Sequence, residues 1–396
     1  CELGDCEECV ASLKFSPDDR HLAVGSWDQK VYLYDVAQGY KLLYVLGGNS
    51  SSVEHVNFSA DGRLLMSNSK DTQMLYWEVS TGARIAKASL LRDVQWAQWT
   101  CPLGWPVLGI WDPDYDQTDV NAVCQSHAGR ALVLGDDYGM VKLLRYPSVV
   151  PEAPALAYGG HSSHVTNVRF SHDDGLVLST GGADTGLFQW RFEAMPAGTA
   201  PEESSPRSGV PAIAIPVGAS SFFGQSSMSP RSKKKMGKRP GTLSESLKQE
   251  LSAGSASGDS EPGLRVQLAR AMSTVFAPSG WKQPREATCL PDDRLALDHV
   301  YGYNGKDGRD NVFLTADGAV VYPLAATGVV HDSKSNCQKF FLHHSEDITC
   351  LAVHPARRMV ATGQLDPKGS ETPYVCVWDS CSPEMACVAR LDKFHD

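Results

Sequence analysis

An internal repeat of about forty residues constrains the fold of this chain more than any other feature. The segment 15–35 (FSPDDRHLAVGSWDQKVYLYD) aligns with 58–78 (FSADGRLLMSNSKDTQMLYWE) at an offset of 43 residues, and 125–146 and 170–191 repeat the pattern. Each copy runs from an aspartate-rich turn through an apolar strand and a tight turn to a closing strand. Such a period is typical of one four-stranded propeller blade, whose sheet faces can be buried only against neighbouring blades. The sequence therefore predicts an all-β fold of β-propeller blades.

The copy at 170–191 carries polar residues at fixed positions, follows GGHSSHV and ends near a tryptophan. In this it resembles the WD-repeat family, which implies WD40-type blades, each with a buried structural hydrogen-bond network. The members that the resemblance implies here, in this and two other blades, are His161, Thr180, Asp184 and Trp190, Asp71 with Trp77, and Trp378 with Asp379. An Asp-His-Ser/Thr catalytic triad would use the same residue types. The repeat spacing already accounts for them, so we interpret them as scaffold.

A glycine-rich stretch with a lysine, GYNGKDG at 302–308, could suggest a phosphate-binding loop. A loop of the Walker type requires G-x-x-x-x-G-K followed by Ser or Thr and then a helix. Here Asp307 follows the lysine, and the next residues read as strand, turn and strand. We therefore interpret the glycines as tight-turn positions beside Tyr301 and Tyr303, whose rings would cover a propeller core. A nucleotide-binding enzyme is the less favoured alternative.

Several stretches resemble the echinoderm microtubule-associated protein-like (EMAP-like) family. LDHVYGYNGKDGRDNVF, VVYPLAATGVV and HPARRMVATGQ follow one another in the order of its HELP motif, and DPDYDQTDVN at 112–121 resembles a segment that joins two late blades. The resemblance implies an atypical tandem propeller and a chain that spans the junction of two successive modules of a longer protein. It assigns to the HELP motif Tyr301, Gly302, Tyr303, Gly305, Asp307 and Asn311.

Four tryptophans, Trp96, Trp99, Trp105 and Trp111, lie within sixteen residues between the second and the degenerate copy. Aromatic side chains at this density more often form core than a ligand site. The alternative is an exposed aromatic and acidic face that meets a protein partner.

Residues 194–290 interrupt the blades. The stretch 194–262 is dense in Ser, Pro, Gly and Ala, a composition that cannot offset the entropy of ordering, so we expect a disordered linker. SESLKQEL and GLRVQLARAMSTVF within the interruption could form short helices. The predicted organisation is 1–193 as the last four WD-like blades of one module, 194–290 as the linker, and 291–396 as the HELP motif and first blade of the next.

The interruption is basic while the rest of the chain is acidic. Residues 194–290 carry 12 Lys and Arg against 7 Asp and Glu, so of the net charge of -10 the remainder holds -15. A run of six positive charges consists of Arg231, Lys233, Lys234, Lys235, Lys238 and Arg239. It could be a solubilising tail, a contact to an acidic polymer such as the tubulin surface, or a nuclear import signal. Ser205 and Ser229 precede prolines and are candidate phosphorylation sites.

Other classes are disfavoured by composition. The net charge of -10 argues against nucleic-acid binding, and a signal peptide, membrane span or heptad run is not expected from the sequence. Cys6 and Cys9 form a C-x-x-C without a second ligand pair, so the eleven cysteines are expected to be reduced thiols. We expect neither a catalytic residue nor a cofactor or metal.

The EMAP-like resemblance implies a non-enzymatic module that binds microtubules or tubulin, modifies microtubule assembly or dynamics, and is located in the cytoplasm at the cytoskeleton. The alternative is a generic WD-repeat scaffold for another protein complex.

Overall fold

The computed structural model describes residues 3–111, 120–195, 213–214, 264–268, 271–303, 311–364 and 373–391. Within these ranges the chain is nearly all β, as predicted, and its helices are three short 3-10 segments at Ala88–Leu91, Trp105–Ile110 and Arg285–Thr288. The strands, in chain order, are β1 (Val10–Phe15), β2 (His21–Ser26), β3 (Val31–Asp35), β4 (Lys41–Leu46), β5 (Val53–Phe58), β6 (Leu64–Ser69), β7 (Met74–Glu78), β8 (Val120–Gln125), β9 (Ala131–Asp136), β10 (Val141–Arg145), β11 (Ala155–Tyr158), β12 (Val165–Phe170), β13 (Leu176–Gly181), β14 (Leu187–Ala194), β15 (Ile213–Ala214), β16 (Leu264–Leu268), β17 (Ala271–Val275), β18 (Asp293–Tyr301), β19 (Phe313–Leu314), β20 (Val320–Leu324), β21 (Thr327–Asp332), β22 (Cys337–Phe341), β23 (Ile348–Val353), β24 (Met359–Gln364), β25 (Val375–Asp379) and β26 (Cys387–Leu391).

These strands form antiparallel sheets of the kind expected for WD40-type blades. The order in each sheet is β1-β2-β3-β4, β5-β6-β7, β15-β11-β10-β9-β8, β12-β13-β14-β18, β19-β20-β21-β22 and β23-β24-β25-β26, with β16-β17 as a separate hairpin. Sequential strands are neighbours because each copy of the repeat has short turns between its strands. The predicted propeller-blade fold is confirmed.

Contacts divide the chain into two compact units. Unit 1 consists of Cys1–Gln117, Tyr146–Ala153 and Lys238–Thr288. In it β5 lies against the first sheet, where the backbone N–H of Val56 donates to Ser12 Oγ at 3.2 Å. The buried side chains between these sheets include Val31, Leu33, Val53, Leu65 and Trp77.

The hairpin of unit 1 corrects one prediction. GLRVQLARAMSTVF could form a short helix by its sequence, but β16 and β17 pair antiparallel from Leu264 with Val275 to Leu268 with Ala271. Leu264, Val266 and Leu268 alternate with period two, and periodicity alone does not separate a strand from a helix in so short a run. The prediction of a helix at SESLKQEL lies outside the described residues, as does most of the predicted disordered linker.

Unit 2 consists of Thr118–Arg145, Pro154–Gly237 and Cys289–Asp396. Its sheet β12-β13-β14-β18 takes its fourth strand from the far side of the linker. β14 and β18 pair at eight positions, from Leu187 with Tyr301 to Ala194 with Asp293, with an irregularity between Gln189 and Trp190. The predicted segments 1–193 and 291–396 therefore share one sheet.

The start of β18 is fixed by residues of the neighbouring sheet. Arg145 donates to the Leu290 carbonyl at 2.9 Å and pairs with Asp292 at 2.5 Å. Arg130 Nη2 lies 3.1 Å from Asp293 Oδ1, and burial raises the pKa of this carboxyl although Arg130 opposes the rise. These anchors place the strand so that its apolar residues enter the core. The buried core side chains that β18 supplies are Leu295, Leu297 and Val300.

The shared sheet predicts that the two sides of the linker associate without a covalent connection. Residues 1–195 and 264–396, expressed as separate chains, should co-purify because β18 completes both the sheet and its core. Leu297→Asp should abolish the association, since Leu297 is buried and a carboxylate at this position would be desolvated. The measurement is affinity purification through a tag on one chain.

The matched control is Leu314→Asp, because Leu314 is 51% exposed. Association that survives Leu297→Asp, or that both changes abolish equally, would contradict the role of β18.

Candidate functional site

A fully buried hydrogen-bond network in the sheet β12-β13-β14-β18 connects β13 and β14 with the segment before β12 and with the turn between β13 and β14. His161 Nδ1 lies 2.8 Å from Asp184 Oδ2 and His161 Nε2 lies 2.9 Å from Ser179 Oγ. Trp190 Nε1 donates to the same Ser179 oxygen at 2.9 Å. A carboxylate only accepts, so Nδ1 carries the proton and Nε2 accepts from the Ser179 hydroxyl. The structure therefore brings together His161, Asp184 and Trp190 around a serine that was not predicted.

Thr180 was expected in this network, and that prediction is wrong. Successive side chains of a strand point to opposite faces, so Ser179 and Thr180 cannot both face Trp190. Thr180 Oγ1 instead lies 3.1 Å from Thr166 Oγ1 on the other face. The alternation of side chains along β13 with a period of two is the sequence signal that could have identified Ser179 as the inward-facing residue.

The Asp184 carboxylate, in the turn between β13 and β14, leaves no room for a side chain at Gly181. A Cβ on Gly181 would lie 1.8 Å from Asp184 Oδ1, so only glycine fits beside the carboxylate. The same oxygen accepts from the backbone N–H of Gly186 at 3.0 Å. The carboxylate therefore holds both the imidazole and the turn between β13 and β14.

A second network of the same kind lies in the sheet β23-β24-β25-β26. His344 Nδ1 is 2.9 Å from Gln364 Oε1, and His344 Nε2 is 2.8 Å from Thr362 Oγ1. Trp378 Nε1 donates to Thr362 Oγ1 at 3.1 Å. Sequence reasoning found Trp378 but missed the other three, although His344 and Thr362 have the same spacing of 18 residues as His161 and Ser179. Gln364 occupies the role that an aspartate has in the first network, and the residue pattern therefore did not reveal it.

Asp379 does not join this network, which corrects its predicted role. Its Oδ2 accepts from Arg358 Nε at 2.9 Å and Nη2 at 2.7 Å at the surface. Asp379 directly follows Trp378 on β25, so its side chain points to the opposite face. The hydrogen bond from Arg358 lowers the pKa of the Asp379 carboxyl.

The second repeat has a reduced version of the network. Trp77 is buried, and Asn49 takes the place that His161 has in the other sheet, with its Oδ1 accepting from Ser67 Oγ at 2.8 Å. Asp71 accepts from Ser69 Oγ at 2.6 Å in the turn after β6. Burial acts to raise the pKa of Asp71, but hydrogen bonds from Ser50 and Ser69 lower it overall.

Of the predicted HELP residues, Tyr301, Gly302 and Tyr303 lie at the end of β18. Gly302 has φ +133°, and a Cβ there would come within 3.0 Å of the Thr185 carbonyl oxygen, so this position requires glycine. The Tyr303 hydroxyl donates to Oδ1 of the buried Asn311. The expectation that the rings of Tyr301 and Tyr303 cover a core is wrong, since both side chains are 47% exposed. Tyr301 is the last paired residue of β18 and Tyr303 lies two residues beyond it, at the end of the sheet.

The tryptophan-rich insertion is core in part. Trp99 and Trp111 are buried and their indole N–H groups donate to the carbonyls of Cys101 and Pro102, which confirms the core interpretation for these two. Trp105 is half-buried, and its ring meets that of Trp281 edge-on at 4.5 Å between centroids. Trp96 is also half-buried.

Several predicted residues lie outside the described part of the chain. They are Gly305, Asp307, Ser205, Ser229, Arg231, Lys233, Lys234, Lys235, Lys238 and Arg239. The acidic segment between Asp112 and Asp119 also lies outside it.

The triad-like arrangement of Asp184, His161 and Ser179 has the wrong surroundings for nucleophilic catalysis. The Ser179 side chain is fully buried and its oxygen already accepts from Trp190, so a substrate carbonyl has no approach to it. In the described ranges His, Cys, Asp and Glu form no group suited to a metal ion. None of the helices in those same ranges has the length and apolar character needed to cross a membrane.

Three family models match the sequence. Residues 1–192 match the second beta-propeller of the echinoderm microtubule-associated protein, residues 290–329 match the HELP motif, and residues 335–379 match the WD domain, G-beta repeat. Together they cover both sides of the linker in the predicted order.

Curated relatives agree with these matches. The chain is 48% identical over 190 residues to echinoderm microtubule-associated protein-like 2 of Rattus norvegicus, covering 47% of this chain and 29% of that protein. It is 42% identical over 209 residues to echinoderm microtubule-associated protein-like 3 of Homo sapiens, covering 52% and 23%. With echinoderm microtubule-associated protein-like 1 of Homo sapiens it shares 42% identity over 190 residues, covering 47% and 23%. The chain thus spans less than a third of the length of each of these relatives.

The network around Ser179 generates a test between adjacent residues. Ser179→Ala should lower the free energy of unfolding by about 2 to 4 kcal/mol, because it leaves the buried Trp190 N–H and His161 Nε2 unpaired. Thr180→Ala should cost less than about 1 kcal/mol, because its hydrogen bond is exposed. Urea unfolding followed by tryptophan fluorescence measures both. An equal loss of unfolding free energy in Ser179→Ala and Thr180→Ala would show that Thr180 belongs to the network.

The buried imidazole of His344 predicts a loss of stability in acid. Burial lowers the pKa of His344 from 6.5 to about 4, so the unfolded chain binds a proton that the folded chain excludes. Its contribution is complete above pH 6.5, and about 3 kcal/mol of unfolding free energy should be lost as the pH falls from 6.5 to 4.

The measurement is urea unfolding across that pH range for the parent and for His344→Asn. The variant should be less stable at neutral pH, and the difference should shrink toward pH 4, because the variant has a shallower dependence on pH. An identical pH dependence in the two proteins would show that His344 does not titrate in this way.

Proposed function

Because the chain belongs to the echinoderm microtubule-associated protein-like family, we propose that it is a non-enzymatic module that binds microtubules or soluble tubulin and modifies microtubule assembly. The observation that carries the proposal is the match of the propeller, the HELP motif and the WD repeat in one chain, together with relatives that are named microtubule-associated. The proposal includes a cytoplasmic location at the cytoskeleton.

The proposed binding involves two parts of the chain with opposite charge, the acidic blades and the basic run. The chain outside residues 194–290 carries a net charge of -15, so an acidic polymer would be repelled by it at long range. The run from Arg231 to Arg239 carries six positive charges and would supply the attraction. We assign this run to the first, salt-dependent encounter with the acidic surface of tubulin.

Phosphorylation would weaken such an encounter. Ser229 stands two residues before Arg231 and precedes a proline, so a proline-directed kinase could modify it. A phosphate adds nearly two negative charges at neutral pH and would offset about a third of the charge of the run. Ser205 precedes a proline as well and is the second proposed site.

Rigid turns of the blades offer the short-range contacts. In unit 1, Trp27 is 50% exposed in the turn between β2 and β3, and the adjacent Asp28 carboxylate accepts from Lys30 N–H and the Tyr32 hydroxyl. An exposed aromatic ring on a turn held in this way loses little entropy on binding, which is typical of residues that anchor interfaces.

The corresponding turn of unit 2 has the same design. Tyr138 is 58% exposed between β9 and β10, and Asp136 Oδ1 accepts from the backbone N–H groups of Tyr138 and Met140 at 3.0 and 2.9 Å. We propose these two turns as protein contacts of their respective units.

Microtubule pelleting tests the proposal. The full chain should sediment with taxol-stabilised microtubules at low salt and less as salt is added. Reversal of the six charges to glutamate should weaken binding by roughly tenfold to a thousandfold, because the attraction between unlike charges becomes repulsion. The matched control keeps the composition of 231–239 and scrambles its order, which should preserve binding.

The outcomes separate the alternatives. A parent chain that fails to sediment, with a native unfolding transition, would favour a WD-repeat scaffold for another complex. Binding that survives charge reversal but is lost in Trp27→Ala or Tyr138→Ala would contradict the electrostatic encounter and leave the turns as the contact surface.

A further inference from the structure

Two free cysteines lie on the last two strands of unit 2, diagonally across the strand pair. Cys376 lies on β25 and is completely buried, whereas Cys387 begins β26 and is partly exposed. Both belong to the apolar cluster around Trp378 and Phe341, with Cys387 packed at its margin. The two thiols are therefore side by side at the edge of a core.

The irregular register of the two strands creates this neighbourhood. Trp378 is opposite Cys387, and Cys376 is opposite Arg390. Cys376 and Trp378 are two residues apart on β25, but their partners are three residues apart on β26. In a regular antiparallel ladder the separations would be equal. The extra residue moves Cys387 to the same face as Cys376.

Burial gives the two thiols different roles, since Cys376 is buried and Cys387 is partly exposed. The side chains of Cys376 and Cys387 interact, and the Cys387 S–H is directed to the Ala389 carbonyl at 3.5 Å. Burial raises the pKa of Cys376 to about 12, and the neighbouring Cys387 adds to the rise. Cys376 thus stays protonated at neutral pH, and Cys387 is the thiol that solvent can reach.

We propose that Cys376 and Cys387 are an oxidisable pair that forms a disulfide with hydrogen peroxide as the oxidant. The Cys387 thiolate attacks one peroxide oxygen, the O–O bond breaks, and a sulfenic acid and hydroxide form, with hydroxide taking up the proton lost from Cys387 to give water. The Cys376 sulfur then displaces the sulfenic hydroxyl, which leaves as a second water with the Cys376 proton. The two thiols lose two electrons, and peroxide gains them.

The bond would fasten the outer strand of the sheet. It closes a loop of about a dozen residues that contains the turn between β25 and β26, and so restricts the unfolded chain. Trp378 of the buried His344 network lies within this loop. Oxidation should therefore raise the urea midpoint of unit 2 and slow amide hydrogen exchange in β26.

The test uses the full chain. It is treated with hydrogen peroxide, alkylated with iodoacetamide under denaturing conditions, and digested without reductant by trypsin and by proteases that cut before Asp379 and after Glu384. Cys376, Cys381 and Cys387 then lie on separate peptides. The expected result is a peptide pair that joins Cys376 to Cys387 with the loss of two hydrogens, and dithiothreitol should restore alkylation of both.

Cys381 is the matched control because it lies in the turn between the two strands. Cys381→Ser should keep the cross-link and the raised urea midpoint, whereas Cys387→Ser should lose both and leave Cys376 reduced at the same dose. A cross-link that involves Cys381, or oxidation of Cys387 alone to sulfinic acid with Cys376 still alkylated, would overturn the proposal. The result on the parent protein decides this even if a variant fails to fold.

Discussion

The pairing of β14 with β18 is the interaction on which unit 2 depends. Eight residue pairs join two strands that are separated by the whole linker, and the second strand supplies three side chains to the core around Trp190. An edge strand with unpaired backbone groups and an uncovered apolar face is costly, so β14 requires a partner. The chain provides it from the segment that also begins the HELP motif. The motif therefore contributes to a sheet whose other strands precede the linker.

The buried networks show how a polar group is tolerated in such a core. In each of two sheets a hydroxyl accepts from a tryptophan indole and lies within hydrogen-bond distance of a histidine ring, and the other ring nitrogen meets a carboxylate or an amide. Every member has a partner, which is the condition for burial without a large penalty. Gln364 in place of an aspartate leaves His344 beside a neutral group, and desolvation then keeps its imidazole uncharged.

The architecture could be predicted from the sequence because the repeat consists of the residue types that strands and turns require. Sequence reasoning placed Trp77, Trp190 and Trp378 inside, because a large aromatic at the end of each copy has only the core to enter. It failed where the choice lay between neighbours on one strand. Ser179 and Thr180 are equally suited to accept a hydrogen bond, and only the register of β13 decides which faces Trp190. It failed similarly for Asp379, whose carboxylate lies on the face opposite Trp378.

The sequence by itself determined the family, the blade repeat and the basic run, because each of these depends on the order and type of residues along the chain. Tertiary structure decided that β18 joins a sheet formed before the linker, that Gln364 completes a histidine network, and that Cys376 meets Cys387. These depend on strand register and on contacts between residues distant in sequence. A shift of one residue moves every side chain to the other face, and periodicity along one strand does not specify that shift.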